Sequence, residues 1–371
     1  MSDRLVLVSA TPMPGARLDA ARVMHRVGVL ARRGGGTLIA PAGPHGPVIV
    51  PGVRHVVVDV PPGLDADKRL ERVAARLGDQ LERLHPAIVH AFGVPLAVPA
   101  LLRRRGAPRV VIEPGVTPAQ RLTDLLPNAP VARLTDLVDL EAKALRRADG
   151  VVATSTVHAS ALADRGVASD RTWTITDGVF HVPDAGATPD LPHVVFVGDL
   201  DVWSGWDLTL DALARLGCPW RATFVVPPDT PAGRAEGRAR ALRIAERVHV
   251  ARLDEDVARW IEAAQVVVCA LAPTRAMAAG GLVPEVALLA LAGRRPLVAP
   301  DLPAVRACVG DAARYFDAGD AGALARAVQG LLEDRAQREV LVDLGAERRV
   351  DLDWSAADAA VRDLWSTLRH A

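Results

Sequence analysis

Glycines stand at two places where this chain could meet an anionic ligand. Gly198 and Gly205 flank a loop that follows an apolar run, and Gly280 and Gly281 precede a helix pattern that starts near Val283. Glycine loops leave backbone N–H groups accessible, and a helix N-terminus adds partial positive charge, so both places could cradle a phosphate. The alternative is that these glycines only end strands.

A carboxylate at a strand end is a second candidate for chemistry. Glu113 follows the apolar run Val110–Ile112. A carboxylate in this place could orient hydroxyl groups of a ligand or stabilise a developing positive charge. A helix-capping or salt-bridged glutamate would explain the same residue equally well.

The composition excludes several classes of protein. The 371 residues include 44 basic and 44 acidic side chains, so the formal net charge is zero, and only 4% are aromatic. A dedicated nucleic-acid-binding protein needs a basic surface with stacking rings, so we expect no nucleic-acid partner. The three cysteines, Cys218, Cys269 and Cys308, lie far apart. This spacing is typical of a reduced cytoplasmic chain and not of a disulfide framework or a zinc site.

Targeting and membrane-spanning patterns are absent from the sequence. The apolar run Leu5–Ala10 is too short for the core of a signal peptide. No uncharged stretch approaches the roughly 20 apolar residues of a spanning helix. We therefore expect a cytoplasmic protein without a transmembrane segment, and peripheral membrane contact and a protein partner remain open.

Fingerprints of several common sites are also absent. The sequence has no G-x-G-x-x-G after a strand pattern, no G-x-x-x-x-G-K-[ST], no H-E-x-x-H, no G-x-S-x-G and no EF-hand loop. The ten histidines are scattered, and a scattered histidine is more often structural than a ligand. We therefore expect no metal site.

Two series of alternating strand and helix patterns must position the candidate residues. One series runs from Leu5 to Ala153 and the other from His193 to Ala299. Apolar strands that alternate with helices predict parallel sheets covered on both faces. We predict an α/β fold with two doubly wound Rossmann-like domains facing a central cleft, where ligands bind at the carboxyl ends of strands.

A junction rich in Pro, Asp and Gly, Val182–Pro192, separates the two series. It predicts an N-terminal domain at residues 1–185 and a C-terminal domain at residues 190–350. Residues 351–371 contain a further helix pattern that could cross back to the first domain. Its spacing does not decide which domain it covers.

An ordered set of segments resembles the family-4 glycosyltransferases of the GT-B fold. In chain order these segments are Arg147–Ser155, Asp177–Val179, Val194–Leu200, Trp203–Asp207, Leu282–Glu285, Ala290–Gly293, Pro296–Ala299 and Asp320–Leu332. The resemblance implies an acceptor-side first domain and a donor-side second domain. It implies a nucleotide-diphosphate sugar as co-substrate, and neither a metal nor another cofactor.

The resemblance also implies roles for particular residues. The expected catalytic residues are Glu285, which would approach the donor ribose or sugar, and Glu113 and His90 on the acceptor side, where His90 would follow a strand. The expected contacts to the co-substrate or its phosphates are Gly15, Gly198, Asp199, Ser204, Gly205, Arg275, Gly281, Val283 and Leu288.

The donor-side match is incomplete at its cations. Family members usually carry an arginine directly after the first glycine and a lysine before the second, and here those positions are Asp199 and Ser204. Two charges about 5 Å apart interact by roughly 3 kcal/mol at an effective dielectric of 20. An acid in place of a cation should therefore weaken diphosphate binding unless another cation compensates, and Arg275 is the candidate by position. A solvated surface arginine is the alternative for that residue.

The family's pair of glutamates, seven residues apart, is also incomplete. One alignment puts Ala278 at the first position and leaves Glu285 one residue short of the second. Another puts Leu288 at the ribose-binding position. Neither alignment restores the pair.

Two functions therefore remain open. The first is a retaining glycosyltransferase that moves a sugar from a nucleotide-diphosphate sugar to a saccharide, lipid-linked or small-molecule acceptor. The second is a catalytically inactive binding or partner subunit of the same fold, since fold membership alone does not establish activity. A sugar-nucleotide epimerase of related fold shares the diphosphate requirement, so the missing cations count against it.

Overall fold

The structure is a computed structural model that describes residues 5–14, 18–61, 63–64, 66–103, 106–179, 189–228, 230–253 and 257–370. The strands are β1 (Leu5–Val8), β2 (Gly36–Ala40), β3 (Val53–Val57), β4 (Ile88–Phe92), β5 (Arg109–Glu113), β6 (Gly150–Ala153), β7 (Thr172–Thr174), β8 (His193–Val197), β9 (Arg221–Val226), β10 (Val248–Arg252), β11 (Val266–Val268), β12 (Leu297–Pro300) and β13 (Arg314–Phe316). The helices are α1 (Leu18–Arg32), α2 (Ala66–Leu84), α3 (Val94–Leu101), α4 (Pro118–Leu125), α5 (Val131–Arg147), α6 (Thr156–Asp164), α7 (Trp206–Leu213), α8 (Gly233–Ala241), α9 (Ala258–Glu262), α10 (Arg275–Ala278), α11 (Glu285–Ala292), α12 (Pro303–Val309), α13 (Ala321–Glu333), α14 (Arg335–Asp351) and α15 (Trp354–His370).

The chain folds into two compact units. The first unit comprises Met1–Asp177, Ala279–Leu282 and Trp354–Ala371. The second unit comprises Gly178–Ala278 and Val283–Asp353. Each unit contains one parallel sheet with flanking helices, which confirms the predicted α/β class.

The first unit is built on a seven-stranded sheet in the order β3-β2-β1-β4-β5-β6-β7. Successive side chains of a strand point to opposite faces, and β1 shows the result. Leu5 and Leu7 pack in a core that includes α1 and α15. Val6 and Val8 pack in another core, which includes α2, α3 and α5. Both faces are therefore covered, as a continuous apolar strand requires.

The second unit is built on a six-stranded sheet in the order β10-β9-β8-β11-β12-β13. Phe196 of β8 packs in a core with Leu210 of α7 and Leu324 of α13. Helix α11 packs against β11 and β12, and every residue from Val286 to Ala292 is buried. This burial explains why α11 is apolar on all sides.

Helix α15 covers part of the first unit. It packs against α1 and β4, and the Trp365 side chain is fully buried. None of the helices in the described residues combines the length and apolarity needed to cross a membrane.

Two helices differ from the sequence pattern for local reasons. The sequence pattern near Val98–Arg105 predicts a helix, but α3 begins at Val94 because Gly93 turns the chain with a φ of 114° and a proline occupies the first turn. The pattern over Ala235–Arg247 likewise predicts a helix, but α8 ends at Ala241. Arg243 adopts a left-handed φ of 59°, which breaks the helix there.

Candidate functional site

The loop after β8 begins with a glycine in an unusual conformation. Gly198 has a φ of 155°, and its N–H donates a hydrogen bond of 3.0 Å to the Val225 carbonyl. The Gly198 amide N–H is therefore used by the sheet and does not face an anion. The next residue, Asp199, accepts a 2.7 Å hydrogen bond from the Thr230 hydroxyl.

The middle of this loop is a compact turn around an aspartate. Asp201 Oδ1 accepts hydrogen bonds of 3.0 Å from the N–H groups of Trp203 and Ser204. The Ser204 hydroxyl donates to the Asp201 carbonyl at 3.3 Å. Ser204, which replaces the expected lysine, is therefore held by contacts within the loop.

Gly205 ends the loop and allows a close backbone approach. Its φ is 64°, and a Cβ built at this residue would lie 1.8 Å from the Ala270 carbonyl oxygen. Only glycine fits such a place. The approach brings the start of α7, at Trp206, beside the chain that follows β11.

This place is the topological switch point of the second sheet. Strand β8 lies between β9 and β11, so the chain leaves β8 towards one side and later returns on the other. In doubly wound sheets, ligands bind outside the carboxyl ends of the strands at this point. The residues from Gly198 to Trp206 are therefore the candidate donor loop.

Helix α11 begins later than the sequence pattern indicated. Its first residue is Glu285 and its N-cap is Pro284, whereas a start near Val283 was expected. The carbonyl of Val283 instead accepts a 2.9 Å hydrogen bond from the Glu285 N–H. Glu285 is half-buried, whereas Leu288 is buried in the core.

Arg275 and the glycines before α11 have different surroundings. Arg275 is exposed at the first residue of α10. Gly280 and Gly281 pack within the first unit: a Cβ on Gly280 would lie 2.8 Å from the His158 nitrogen, and one on Gly281 would lie 2.5 Å from the Gly115 oxygen. Close packing thus explains both glycines, and phosphate binding by Gly281 stays a prediction.

The first unit contains a buried polar cluster formed by Arg26, Glu113, His90 and Trp365. Arg26 Nε donates to Glu113 Oε1 at 2.9 Å, and His90 Nε2 lies 3.0 Å from the same oxygen. The Trp365 indole N–H donates to His90 Nδ1 at 2.9 Å. All four side chains are almost completely buried.

The contacts in this cluster determine its charge state. An indole N–H can only donate, so His90 Nδ1 must accept and the imidazole proton lies on Nε2, towards Glu113. Burial alone would raise the pKa of Glu113, but the Arg26 guanidinium and the contact with His90 outweigh burial and hold that pKa well below its usual range. The cluster therefore contains an ionised Arg26–Glu113 pair.

Two expected catalytic residues thus lie in a structural network. His90 was expected to follow a strand, but it lies within β4, because the strand continues to Phe92. Glu113 is the last residue of β5 and is salt-bridged, as the alternative interpretation held. The catalytic roles of His90 and Glu113 remain predictions. Gly15, the remaining expected contact, lies outside the described residues.

His158 is a candidate functional residue that the sequence analysis did not select. Its Nδ1 accepts a 3.2 Å hydrogen bond from the Thr154 N–H, at the carboxyl end of β6. Burial, followed by the charges of Arg22 and Arg165, lowers the pKa of His158 to about 4. The imidazole is therefore neutral near pH 7 and carries its proton on Nε2. No sequence motif around this residue indicated the arrangement.

Arg234 is a second residue that sequence reasoning missed. It is exposed on α8, and its Nη1 donates to the Leu200 carbonyl of the candidate donor loop. Its guanidinium carbon lies 5.2 Å from the centroid of the Trp206 ring. The contact joins residues 28 or more positions apart, so no local pattern could have revealed it.

The geometry of each unit matches known enzymes of one fold. Sucrose-phosphate synthase from Thermosynechococcus elongatus is similar with a TM-score of 0.80 and 20% identity over 99% of both chains. The Anabaena protein HepE, in complex with UDP and glucose, is similar with a TM-score of 0.72 and 16% identity over 98% of this chain and 100% of its own. The protein therefore has the GT-B fold.

Family models cover most of both units. Residues 15–178 match a glycosyl transferase 4-like domain, and residues 191–334 match the glycosyl transferases group 1. A comparison with curated proteins gave no match. The chain belongs to the family-4-like glycosyltransferases of the GT-B fold, and it is a glycosyltransferase.

A third structure adds information about sugar phosphates. An α,α-trehalose-phosphate synthase (UDP-forming) from Burkholderia xenovorans, in complex with glucose-6-phosphate, is similar with a TM-score of 0.71 and 17% identity. The match covers 97% of this chain and 100% of that protein. At such identities these structures share the fold with this chain, and their ligands are their own.

Proposed function

We propose that the protein is a retaining glycosyltransferase that uses a nucleotide-diphosphate sugar as donor and a saccharide, lipid-linked or small-molecule acceptor. The observation that carries the proposal is Gly205. Its left-handed backbone and its approach to Ala270 bring the N-terminus of α7 to the switch point of the second sheet. A helix N-terminus there favours a negatively charged leaving group.

The transfer breaks the bond between the anomeric carbon and the diphosphate oxygen and forms one from that carbon to an acceptor oxygen, on the same face of the sugar. The proton of the acceptor hydroxyl passes to the departing diphosphate oxygen, and the nucleoside diphosphate leaves with its remaining negative charge. Stabilisation of that anion is the main task of the donor loop. Glu285, half-buried at the start of α11, is the residue we assign to the donor ribose or sugar. No metal and no other cofactor enters this scheme.

The similar structures support a uridine donor and a sugar phosphate among the acceptors to be tried first. The Anabaena protein was solved with UDP and glucose, and the Burkholderia xenovorans enzyme is UDP-forming and was solved with glucose-6-phosphate. We also propose a cytoplasmic location, because the cysteines form no disulfide among the described residues and unbridged cysteines are typical of a reducing compartment.

Ligand-induced stabilisation followed by a transfer assay tests this function. A ligand that binds only the native state raises its stability by mass action. We expect millimolar UDP, GDP or ADP, or one of their sugars, to raise the Tm of the full chain. The donor that binds is then incubated with sugars, sugar phosphates and lipid-linked sugars, and NMR of the product reports whether the anomeric configuration is retained. No Tm shift with any nucleotide would contradict the proposal.

One observation favours a second function, that of a non-catalytic binding subunit. Asp199 and Ser204 occupy the usual cationic positions. Asp199 accepts a hydrogen bond from Thr230, and Ser204 is held by Asp201 within the loop. A nucleotide that binds while no acceptor yields product would support this function. Product formation would exclude it.

A further inference from the structure

The candidate donor loop carries the wrong charge for its proposed ligand. Between Gly198 and Asp207 the sequence contains Asp199, Asp201 and Asp207 and no lysine or arginine. A nucleoside diphosphate at the switch point would meet repulsion from these carboxylates. If a diphosphate binds there, a cation from another element must supply the attraction.

Arg234 is placed to be that cation. It is fixed by two contacts on the loop: its Nη1 donates to the Leu200 carbonyl, and its guanidinium lies over the ring of Trp206. Leu200 lies near the start of the loop and Trp206 begins α7, so the guanidinium contacts the loop at both places. The fixed positive charge therefore lies beside the first turn of α7.

The next arginine along α8, Arg238, differs from Arg234 in its ion pairing. Arg238 forms a bidentate pair with Asp211, with Nη2 at 2.6 Å from Oδ1 and 2.8 Å from Oδ2. Within the part of the chain that the structure describes, Arg234 forms no such pair with a carboxylate, and its side chain is exposed. Among the described residues, Asp211 therefore pairs with the charge of Arg238, and no carboxylate pairs with that of Arg234.

The chemistry of a guanidinium fits both the observed contacts and a phosphate. Arginine stacks on an aromatic ring with its face while its N–H groups donate in the plane of the fork. One N–H group reaches Leu200, and others remain for a second acceptor. Arginine binds phosphate oxygens through such forks with charge-assisted hydrogen bonds.

We propose that Arg234 binds the diphosphate of the donor and replaces the two cations that the loop lacks. The inference rests on the proposed function, because it requires a nucleoside diphosphate at the switch point. It differs from that function in assigning diphosphate binding to a side chain of α8, outside the loop and outside the usual motif. Arg234 is thus a binding residue whose effect depends on the phosphate groups of the ligand.

Binding measurements with a phosphate series test the assignment. Calorimetry first identifies which of UDP, GDP and ADP binds the wild-type chain. The corresponding nucleoside, monophosphate and diphosphate are then titrated into wild type, Arg234→Gln, Arg234→Lys and the control Arg238→Gln. We expect Arg234→Gln to weaken diphosphate binding at least about tenfold while the affinity for the nucleoside stays within about twofold. The diphosphate affinity of Arg234→Lys should lie between those of wild type and Arg234→Gln, because lysine keeps the positive charge but lacks the forked guanidinium.

The control separates a local effect from a general change in surface charge. Arg238→Gln removes the same charge one helical turn away, and we expect its diphosphate affinity to stay within about twofold of wild type. Equal loss in both variants would overturn the inference, as would a wild-type affinity in Arg234→Gln. If the wild-type chain binds none of the three nucleotides, the proposed function fails and the inference fails with it. Thermal unfolding of each variant, expected to match wild type, shows that the exposed substitutions leave the fold intact.

Discussion

Charged side chains at the carboxyl ends of the strands have opposite surroundings in the two units. In the first unit, Glu113 at the end of β5 is buried and paired with the buried Arg26. In the second unit, Asp199 and Asp201 after β8 are half-buried and accept hydrogen bonds from a hydroxyl and from backbone N–H groups. One site is a closed ion pair, and the other is a loop at the surface.

The difference separates charges that maintain the fold from charges that affect binding. A buried ion pair that loses one partner leaves an uncompensated charge in a medium that cannot solvate it. A half-buried carboxylate that is removed is replaced by water. Substitutions in the first unit should therefore change stability most, and substitutions in the candidate donor loop should change ligand affinity most.

The largest expected effect is on stability and comes from Glu113→Gln. The substitution leaves the buried charge of Arg26 without a compensating negative charge, so the free energy of unfolding should fall by about 3–5 kcal/mol. Urea denaturation followed by circular dichroism measures it. The double variant Arg26→Met/Glu113→Leu removes both charges and should recover most of the loss. A loss below about 1 kcal/mol for Glu113→Gln would show that the pair does not maintain the fold.

Gly205→Ala should have the next largest effect on the free energy of unfolding, and the cause in this case is backbone strain in the second unit. An alanine must hold a φ of 64°, and its Cβ would lie 1.8 Å from the Ala270 oxygen, so the loop must move. We expect a loss of about 2–3 kcal/mol in the free energy of unfolding, together with weaker nucleotide binding. Urea denaturation and calorimetry measure the two effects.

The matched control for this prediction is Gly237→Ala on α8. A Cβ there meets no atom within 4 Å, and the residue lies inside a helix. Alanine should therefore stabilise the protein by about 0.5–1 kcal/mol. Equal effects of the two substitutions would mean that the approach to Ala270 is not needed.

The pH dependence of stability provides a second test in the first unit. The pKa of His158 falls from 6.5 to about 4 on folding, so the unfolded chain binds more protons between these pH values. Stability is therefore lost as the pH falls through this window, by about 2 kcal/mol from this residue between pH 7.5 and pH 5. His158→Asn keeps an acceptor near the Thr154 N–H but does not titrate, so it should show a smaller loss in urea denaturation at the two pH values.

Glu113 also contributes to the pH dependence of stability, at a lower pH than His158. Its folded pKa lies below the ordinary value of 4.5, so its stabilisation is present above that value and is lost as the pH falls further. The two residues thus act in successive windows. A pH profile of His158→Asn that equals wild type between pH 7.5 and pH 5 would show that the imidazole is not held neutral.

Local sequence patterns made much of the fold predictable, whereas contacts between residues far apart in the sequence could not be predicted. The alternation of apolar strands and helices predicted both sheets, and the three-residue strands β7 and β13 were missed because so short a run carries little pattern. Gly198 and Gly205 were selected because glycines that flank a loop after an apolar run can leave backbone N–H groups accessible. The buried polar cluster joins residues 87 positions apart in one bond and 275 in another, and no spacing in a single sequence indicates such pairs.

Asp199→Asn should have the smallest effect on stability and therefore sharpens the comparison most. The asparagine amide oxygen can still accept the hydrogen bond from Thr230, and the side chain is half-buried, so the free energy of unfolding should change by less than about 0.5 kcal/mol. Removing a negative charge from the loop should strengthen UDP binding by about two- to tenfold after screening by solvent. Calorimetry at low and high salt measures the gain, which should shrink as salt rises. Weaker binding instead would mean that the Asp199 carboxylate itself holds the ligand, and the loop would then recognise a group other than a phosphate.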